Sequence, residues 1–259
     1  MELPHAPLDH YYGAEANRQA WVREIFDRSA VDYERVHSAM ALGTGAWYRR
    51  RALIGSGLRP GLREGMRVVD VGVGTGLVAR EAAAIVGDPR LVTGVDPSQG
   101  MLEHARVPAG VRLLLGTAEK IPVADGGADF LSLGYALRHL ADLEAAFNEF
   151  FRVLRPGGVL CVLEFALPKR RLARALWSGY LRHVVPWLAT RLAPDHHMPE
   201  LMRYTWETIE TCVPPEVVMH HIESAGFEDV SREVELGIFS AYRASKPNPR
   251  SYCLRNGPL

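Results

Sequence analysis

Short apolar runs alternate with helical patterns through the middle of the chain. Five runs have the length and apolar content of buried strands: 66–72 (MRVVDVG), 91–96 (LVTGVD), 111–119 (VRLLLGTAE), 128–135 (ADFLSLGY) and 157–165 (GGVLCVLEF). Helical patterns follow several of them, over 77–87, 97–106 and 140–154. Strands that alternate with helices form a parallel sheet covered on both faces. The pattern therefore predicts an α/β fold with a mainly parallel sheet.

Helical patterns also flank this alternating region. Residues 14–58 are mostly helical, with these apolar side chains at helical spacing: Ile25, Phe26, Ala30, Tyr33, Val36 and Met40. We expect Gly43 and Gly45 to interrupt that helix. A long helical insertion, 169–212, follows the fifth strand. The alternating pattern then returns, with a helix and a strand pair over 213–246.

The first half of the insertion, 169–192, combines an apolar stripe with basic residues. The stripe is formed at helical spacing by Leu172, Leu176, Tyr180, Val184 and Leu188. We expect Pro186 to break it. The basic residues are Lys169, Arg170, Arg171, Arg174, Arg182 and Arg191. Two interpretations stay open: a helix on a membrane surface, or a lid over a hydrophobic ligand. We favour the lid, and the two are compatible if the ligand is a membrane lipid.

Charge and composition exclude some classes of function. The 259 residues contain 30 Lys+Arg and 30 Asp+Glu, so no net positive field attracts nucleic acid. The first residues show neither a basic nor an apolar leader segment, and no run approaches the roughly 18 apolar residues of a membrane-spanning helix. We therefore expect no signal peptide and a cytoplasmic protein, with a peripheral membrane location as the alternative. The oligomeric state stays open, a homodimer included.

Cysteine and histidine spacing gives no sign of a metal site or a disulfide framework. Cys161, Cys212 and Cys253 lie far apart in the chain. His196 and His197 form an adjacent pair, but no clear third ligand accompanies them. We expect no bound metal and a reducing compartment.

The first predicted strand ends in a glycine-rich turn, DVGVGTGL. Its chemistry-bearing residues are Asp70, Gly72, Gly74, Thr75 and Gly76. The glycines allow a tight turn and close approach of a ligand, and the following helix presents free N–H groups. A dinucleotide fingerprint would have a glycine in place of Leu77. Asp70, directly before the turn, would repel a pyrophosphate but attract an ammonium group. The alternative is a structural turn without a ligand.

The next two strand ends carry further polar residues. Asp96 ends the second strand, where a carboxylate can accept both hydroxyls of a ribose. The alternative role for Asp96 is the N-cap of the next helix, although Ser98 can serve as that cap. Thr117, Ala118 and Glu119 follow the third strand, where an adenine edge can be recognised; the alternative is a plain loop.

This constellation resembles the class I S-adenosylmethionine (SAM) methyltransferases over about residues 65–240. The resemblance implies that the glycine turn lies along the methionine and ribose, Asp96 at the ribose, and Thr117–Ala118 near the adenine. Many members of that family have Asp or Asn in place of Thr117, although Thr can still accept one hydrogen bond. The implied cofactor is SAM, without a metal. The predicted cofactor-binding residues are Asp70, Gly72, Gly74, Thr75, Gly76, Asp96, Pro97, Ser98, Met101, Thr117, Ala118, Glu119, Gly134 and Tyr135.

Four longer segments narrow the resemblance to the ubiquinone/menaquinone biosynthesis C-methyltransferase family. They are 26–50 (FDRSAVDYERVHSAMALGTGAWYRR), 134–140 (GYALRHL), 152–165 (RVLRPGGVLCVLEF) and 203–209 (RYTWETI). That family implies a single Rossmann-like domain with a seven-stranded sheet and a helical cap that encloses the acceptor. Applied to this chain, the expected parts of a 1–259 domain are an N-terminal cap (14–58), a SAM-binding core (65–168), a lid (169–212), a C-terminal helix and strand pair (213–246) and a loose tail (247–259).

The same resemblance proposes four catalytic residues. Arg138 matches the arginine of the family's L-R-N motif, where it can stabilise a phenolate or organise a proton-relaying water. His139 stands where the family usually has Asn, and it can act as a base near neutral pH. Tyr33 matches a family tyrosine thought to face the acceptor, and His37 again replaces an Asn. These two histidines suggest altered acceptor chemistry.

Each proposed catalytic residue also has a simpler interpretation. Arg138 can pair with Asp142 on the next helical turn. His139 can be a histidine at a helix start or on the surface. Tyr33 and His37 are four residues apart, so they can be a packed pair on one helix face.

The resemblance implies direct SN2 methyl transfer to a ring carbon of a hydroquinone or related phenol. Tyr33 or Tyr135 can steady the sulfonium cation through an aromatic face. One alternative is a natural-product O-, N- or C-methyltransferase acting on a different small aromatic acceptor. Another is a SAM-binding scaffold without activity in quinone biosynthesis. The expected partner is a small-molecule or lipid-like aromatic acceptor, and no nucleic acid.

Overall fold

The computed structural model describes residues 3–40, 44–60, 65–193 and 197–248. Its α-helices in chain order are α1 (Asp9–Tyr12), α2 (Arg18–Met40), α3 (Thr44–Gly55), α4 (Leu77–Val86), α5 (Gln99–Glu103), α6 (Leu143–Val153), α7 (Arg171–Gly179), α8 (Val185–Leu192), α9 (His197–Glu210) and α10 (Pro215–Ser224). Short 3₁₀ turns occupy Glu15–Asn17, Pro89–Leu91 and Leu137–His139, and a π-helical turn, Tyr180–Val184, joins α7 to α8. Gly43, His196, Cys253 and the tail from 249 lie outside the described residues.

The strands form one seven-stranded sheet. They are β1 (Val68–Val71), β2 (Val92–Asp96), β3 (Arg112–Leu115), β4 (Ala128–Gly134), β5 (Leu154–Phe165), β6 (Glu228–Glu235) and β7 (Phe239–Ser245), in the order β3-β2-β1-β4-β5-β7-β6. The first five run parallel, and β7 is antiparallel to both β5 and β6. The alternating pattern of the sequence thus predicted the fold class correctly. The crossovers place the carboxyl ends of β1, β2, β3 and β4 at one edge of the sheet.

Two apolar layers attach helices to opposite faces of the sheet. Alternate residues of a strand point to opposite faces, so Leu131 and Leu133 of β4 lie in one layer and Phe130 in the other. The first layer contains side chains of α6 and α10, including Phe147, Phe150, Val218 and Ile222. The second contains side chains of α3 and α4, including Tyr48, Leu53, Ala79 and Ala82. Both faces are therefore covered, and the edge at the strand carboxyl ends is where a ligand can bind.

A third apolar cluster joins the N-terminal helices to the insertion. Its buried members come from α2 (Val22, Ile25, Val36), from the π-turn and α8 (Leu181, Val185, Ala189) and from α9 (Leu201, Met202, Tyr204). Residues far apart in the sequence thus pack as one helical layer. Gly45 does not interrupt a helix as expected. It lies inside α3, whose range is Thr44–Gly55, while Gly43 lies outside the described residues.

The stripe expected along the insertion is not a buried face. Leu172 and Leu176 are 74% and 67% exposed, and no residue of α7 is buried. Beyond it, the π-turn contains one more residue than an α-turn, which rotates the buried face by about 100°. The buried positions are consequently Leu181, Val185 and Ala189, none of which belongs to the stripe. Pro186 does not break the helix, since it lies in the first turn of α8, where no N–H is needed.

Candidate active site

Helix α2 crosses the edge formed by the strand carboxyl ends and is fixed to it at two points. Near its middle, Asp27 Oδ1 accepts hydrogen bonds from Ser98 Oγ at 2.6 Å and from the Gly100 N–H at 2.8 Å. At its start, Arg18 donates to the Leu140 carbonyl at 2.9 Å. The helix therefore roofs a space above the strand ends.

That space is a cavity of about 340 Å³, here called the first cavity. Its roof comes from α2: Gln19, Val22, Arg23, Phe26 and Tyr33. Its floor comes from the strand ends: Gly72, Gly74, Asp96, Pro97, Ser98, Met101, Thr117, Glu119, Gly134, Tyr135, Ala136, His139 and Ala141. Most of the floor residues were predicted from the sequence, whereas Tyr33 was the only roof residue predicted. The helical spacing of residues 19, 22, 23 and 26 is the signal that could have placed the other roof residues on one face of the helix.

The glycine-rich turn keeps one side of the first cavity open. Gly72 and Gly74 have φ of 63° and 53°, a conformation that favours glycine. A Cβ on Gly72 would lie 2.7 Å from the Ala136 Cβ, whereas a Cβ on Gly74 would meet no atom within 4 Å. A ligand can therefore approach the backbone at Gly74 closely.

Asp96 is positioned as an acceptor at the floor. The Gly74 N–H donates to its Oδ2 at 2.7 Å and the Ser98 N–H to its Oδ1 at 2.9 Å. Burial raises the pKa of the carboxyl to about 6, against the two backbone hydrogen bonds that lower it. Ser98, not Asp96, caps α5, because its Oγ accepts from the Met101 N–H at 3.0 Å. Each Asp96 oxygen keeps a second lone pair for a ligand hydroxyl.

Four residues predicted to bind the cofactor do not line the first cavity. Asp70 is 1% exposed beneath the turn, where it accepts from Ser132 Oγ at 2.6 Å, and burial raises its pKa to about 7. Thr75 faces a different, shallow cavity beside α5. Gly76 is the N-cap residue of α4, and Ala118 is packed in the core. These positions support the turn and loop rather than touch the cavity.

Arg138 is enclosed in a set of hydrogen bonds away from both Asp142 and the first cavity. Its Nε donates to Glu164 Oε1 at 3.0 Å and its Nη1 to Thr208 Oγ1 at 2.7 Å. Nη2 reaches the Tyr135 carbonyl at 3.3 Å. Asp142 instead caps α6. Because the guanidinium is 2% exposed and joins the ends of β4 and β5 to α9, it holds the loop that carries the neighbouring residue 139.

We expect the substitution Glu164→Gln to lower the free energy of unfolding by about 2 kcal/mol, since it weakens a charge-assisted hydrogen bond in a buried site. Urea unfolding measures the change. The exposed Glu223→Gln on α10 is the matched control, with an expected change within about 0.5 kcal/mol. Equal stability of the two variants would show that the Arg138–Glu164 pair contributes little.

His139 is a packed side chain, not a surface one. Its ring stacks on Tyr204 at a centroid distance of 5.6 Å and meets the edge of Phe26 at 5.1 Å. Its Nδ1 is inaccessible to solvent and has no hydrogen-bond partner among the described residues. Burial, and then the charge of Arg138, hold the pKa of the imidazole well below its usual value. The first cavity is therefore lined by a neutral histidine.

Tyr33 and His37 do form a packed pair, with ring centroids 5.6 Å apart and planes 29° apart. They nevertheless face two different spaces. Tyr33 lines the first cavity, and His37 lines a neighbouring one. Burial lowers the pKa of His37 to about 4 and raises that of Tyr33 to about 12, so both side chains are neutral near pH 7.

The neighbouring space, the second cavity, has a volume of about 240 Å³ and is largely apolar. It is lined by His37, Met40, Thr44, Gly45, Arg49, Tyr135, Phe165, Trp177, Tyr180, Leu181, Leu236, Ile238 and Phe239. Tyr135 also lines the first cavity, with a left-handed backbone (φ 59°) unusual for a bulky residue. Such strain is typical of functional positions. Most of the second cavity, Arg49 above all, was not foreseen from the sequence.

A groove of about 920 Å³ lies beside the second cavity, between α7 and the β6–β7 hairpin. Both spaces share Trp177, Tyr180, Leu236 and Ile238. Tyr180, in the π-turn, donates to the Met40 carbonyl at 2.8 Å and stacks on Trp177 at 5.8 Å. The three spaces are thus neighbours with shared walls, in a series from the strand ends to the face of the insertion.

Within the described residues, no group of three or more His, Cys, Asp and Glu side chains could hold a metal ion. His197 begins α9, while its neighbour His196 lies outside the described part of the chain.

Comparisons with known proteins identify the family to which the chain belongs. The model of the ubiE/COQ5 methyltransferase family matches residues 14–246. The ubiquinone/menaquinone biosynthesis C-methyltransferase UbiE of Stutzerimonas stutzeri is 31% identical over 241 residues, covering 90% of this chain and 91% of the relative. The UbiE protein of Shewanella halifaxensis is 30% identical over 229 residues, covering 85% and 88%. A SAM-dependent methyltransferase structure from Thermotoga maritima has a TM-score of 0.57 and 25% identity, covering 86% of this chain and 98% of its own. The chain therefore belongs to the ubiE/COQ5 methyltransferase family and is a SAM-dependent methyltransferase.

Proposed function

We propose that this enzyme methylates a ring carbon of a hydroquinone or related phenol. The observation that carries the proposal is the second cavity, an apolar chamber that shares Tyr135 with the first cavity. The relatives named as C-methyltransferases of quinone biosynthesis support the same chemistry. SAM, when bound, supplies a sulfonium methyl group: its C–S bond breaks as the new bond to the ring carbon forms, and the ring then releases a proton.

The residues of the first cavity fit SAM. Asp96 has free lone pairs for the two ribose hydroxyls, and the open backbone at Gly74 allows close approach. Thr117 and Glu119 lie where the adenine edge would be recognised, and Phe26 and Met101 offer apolar surface. In this proposal Asp70, Thr75, Gly76 and Ala118 act by shaping the turn and loop.

The acceptor would lie in the second cavity, with its reactive carbon toward Tyr135. Tyr33 and Tyr135 offer aromatic faces near the junction, which suits a cationic methyl donor. His139, neutral and partly buried, is the candidate to take the proton that leaves the ring carbon. Arg138 is a positioning residue in this scheme, because its donors are already bound to Glu164, Thr208 and the Tyr135 carbonyl.

Transfer of a labelled methyl group tests the proposal. The protein is supplied with methyl-labelled SAM and a short-chain demethyl quinol kept reduced, beside a panel of simple phenols. Mass spectrometry and NMR identify the products. A ring C-methyl group is the expected result. Methylation only on oxygen or nitrogen would point instead to a natural-product type of reaction, and SAM binding without any transfer would point to a scaffold.

We also propose that segment 169–192 contacts a membrane surface as well as covering the acceptor path. No helix in the described part of the chain is long and apolar enough to cross a membrane. The segment does present exposed apolar side chains among its basic residues, namely Leu172, Leu176, Val184 and Trp187. This combination is typical of a helix lying on an anionic bilayer.

We expect Trp187→Glu to weaken binding to anionic phospholipid vesicles about tenfold, since it removes apolar burial and adds charge repulsion. Vesicle co-sedimentation measures the change. Ile54→Glu is the matched control, because Ile54 is 49% exposed on α3, outside this segment. Equal vesicle binding by wild type and both variants would contradict the membrane contact.

A further inference from the structure

The second cavity contains a buried cation. Arg49 on α3 is 6% exposed and lines this chamber. Among the described residues it forms no ion pair with an acid, and its Nε is inaccessible and without a hydrogen-bond partner. The other two buried arginines of the described chain differ, because Arg18 pairs with Glu15 and Arg138 with Glu164.

Burial of an unpaired guanidinium is costly, which argues against a purely structural role. A charge removed from water destabilises the fold by several kcal/mol unless a partner compensates it. The neutral titratable groups that face Arg49 are Tyr33, His37 and Tyr135, since burial keeps all three uncharged near pH 7. Asp70 and Glu81 attract Arg49 without forming an ion pair with it, and Arg80 repels it; burial raises the pKa of Asp70 to about 7, and Glu81 lies within 3.9 Å of the exposed Arg50. Among the described residues no carboxylate lies at ion-pair distance from Arg49, so a ligand in the chamber can supply the compensating negative charge.

The walls of the chamber restrict what that ligand can be. Phe165, Trp177, Ile238 and Phe239 present apolar and aromatic surface. A small inorganic anion would leave this surface in contact with water, whereas an aromatic ring would cover it. An aromatic ring with an ionised hydroxyl satisfies both the walls and the cation.

We propose that Arg49 binds the ionised hydroxyl of the aromatic acceptor and so selects phenols that enter as phenolates. This inference rests on the proposed function, because it assigns the acceptor to the second cavity. A phenolate carries more electron density on its ring carbons than a phenol does, so the same contact would activate the acceptor. A guanidinium also suits this task since its donors stay charged at any physiological pH.

Binding of 4-nitrophenol, a phenol whose ionised form absorbs at longer wavelength, tests the proposal on protein loaded with S-adenosylhomocysteine. In the wild type we expect the bound probe to ionise at lower pH than the free probe. Arg49→Gln should weaken binding of the ionised probe on the order of 30-fold and abolish this shift. Arg49→Lys should retain part of both effects. Arg50→Gln, the neighbouring exposed arginine, is the matched control and should bind the probe as the wild type does.

Unfolding of the same variants without ligand separates a binding role from a structural one. Arg49→Gln should raise the midpoint of thermal unfolding, because it removes an uncompensated buried charge. A loss of stability with unchanged probe binding would overturn the inference. Arg49-dependent probe binding without methyl transfer to any phenol would uphold it while the proposed function fails. Methyl transfer to a phenol at wild-type efficiency by Arg49→Gln would support the proposed function and overturn the role of Arg49.

Discussion

Substitution of His139 by alanine is expected to slow methyl transfer about 10²–10⁴-fold, the usual contribution of a general base. Its depressed pKa makes His139 a poor base for a phenol hydroxyl. It is an adequate base for the ring proton, which is strongly acidic once the methylated ring carbon is tetrahedral. The neutral imidazole is present throughout the range above its lowered pKa. The rate should therefore show no loss as pH falls through 6.5, the ordinary histidine value. Single-turnover measurements across pH 5.5–8 check both expectations.

Calorimetric titration with S-adenosylhomocysteine controls for damage to the first cavity, and its affinity should be nearly unchanged. Added imidazole should restore part of the rate, because the truncated side chain leaves room between Phe26 and Tyr204. His37→Ala, beside Tyr33 and the second cavity, is the control variant. Added imidazole should not restore its rate. Wild-type rates in His139→Ala would show that another group takes the proton.

Asp96→Asn is expected to weaken SAM binding about 10²–10³-fold, since two hydroxyl hydrogen bonds to a charged acceptor are replaced by weaker ones. Burial raises the pKa of this carboxyl to about 6. At pH values between the ordinary aspartate pKa and about 6, the Asp96 carboxyl of the native protein therefore carries a proton. Wild-type affinity should therefore increase as pH rises through about 6. The asparagine variant should show no such increase. Calorimetric titration from pH 5 to pH 8 measures both.

Asp70→Asn is the matched control, because it makes the same change in a buried aspartate one strand away that does not line the first cavity. Its SAM affinity should remain close to that of the wild type. If Asp70→Asn weakened binding as much as Asp96→Asn, the ribose assignment would be wrong and the turn as a whole would be the determinant.

Asp70 and Asp96 show how accurately the end of a strand can be predicted from the sequence. Asp70 and Asp96 both follow apolar runs, and both were predicted to bind the cofactor. In the structure Asp96 is the last residue of β2, whereas Asp70 lies within β1 and points into the sheet toward Ser132. A shift of one or two residues at a strand end decides between these outcomes, and local sequence does not determine it.

The second cavity was harder to predict from the sequence because segments far apart in the chain line it. Arg49, Arg50 and Arg51 are consecutive, and only the packing of α3 against β7 and the insertion buries the first of them. The π-turn at Tyr180–Val184 was likewise not predicted, and it separates the apolar stripe from the buried positions of this segment. By contrast, the strand alternation and the glycine turn are local patterns, and these predicted the fold class and most of the first cavity.

Helix α2 carries Tyr33 on the wall of one cavity and His37 on the wall of the next, and Asp27 fastens it to the floor. One helix thus lines both the cavity proposed for SAM and the cavity proposed for the acceptor. A movement of α2 that widened the first cavity for SAM would also displace a wall of the second cavity. We therefore expect an ordered kinetic mechanism, in which SAM binds before the acceptor and S-adenosylhomocysteine leaves last.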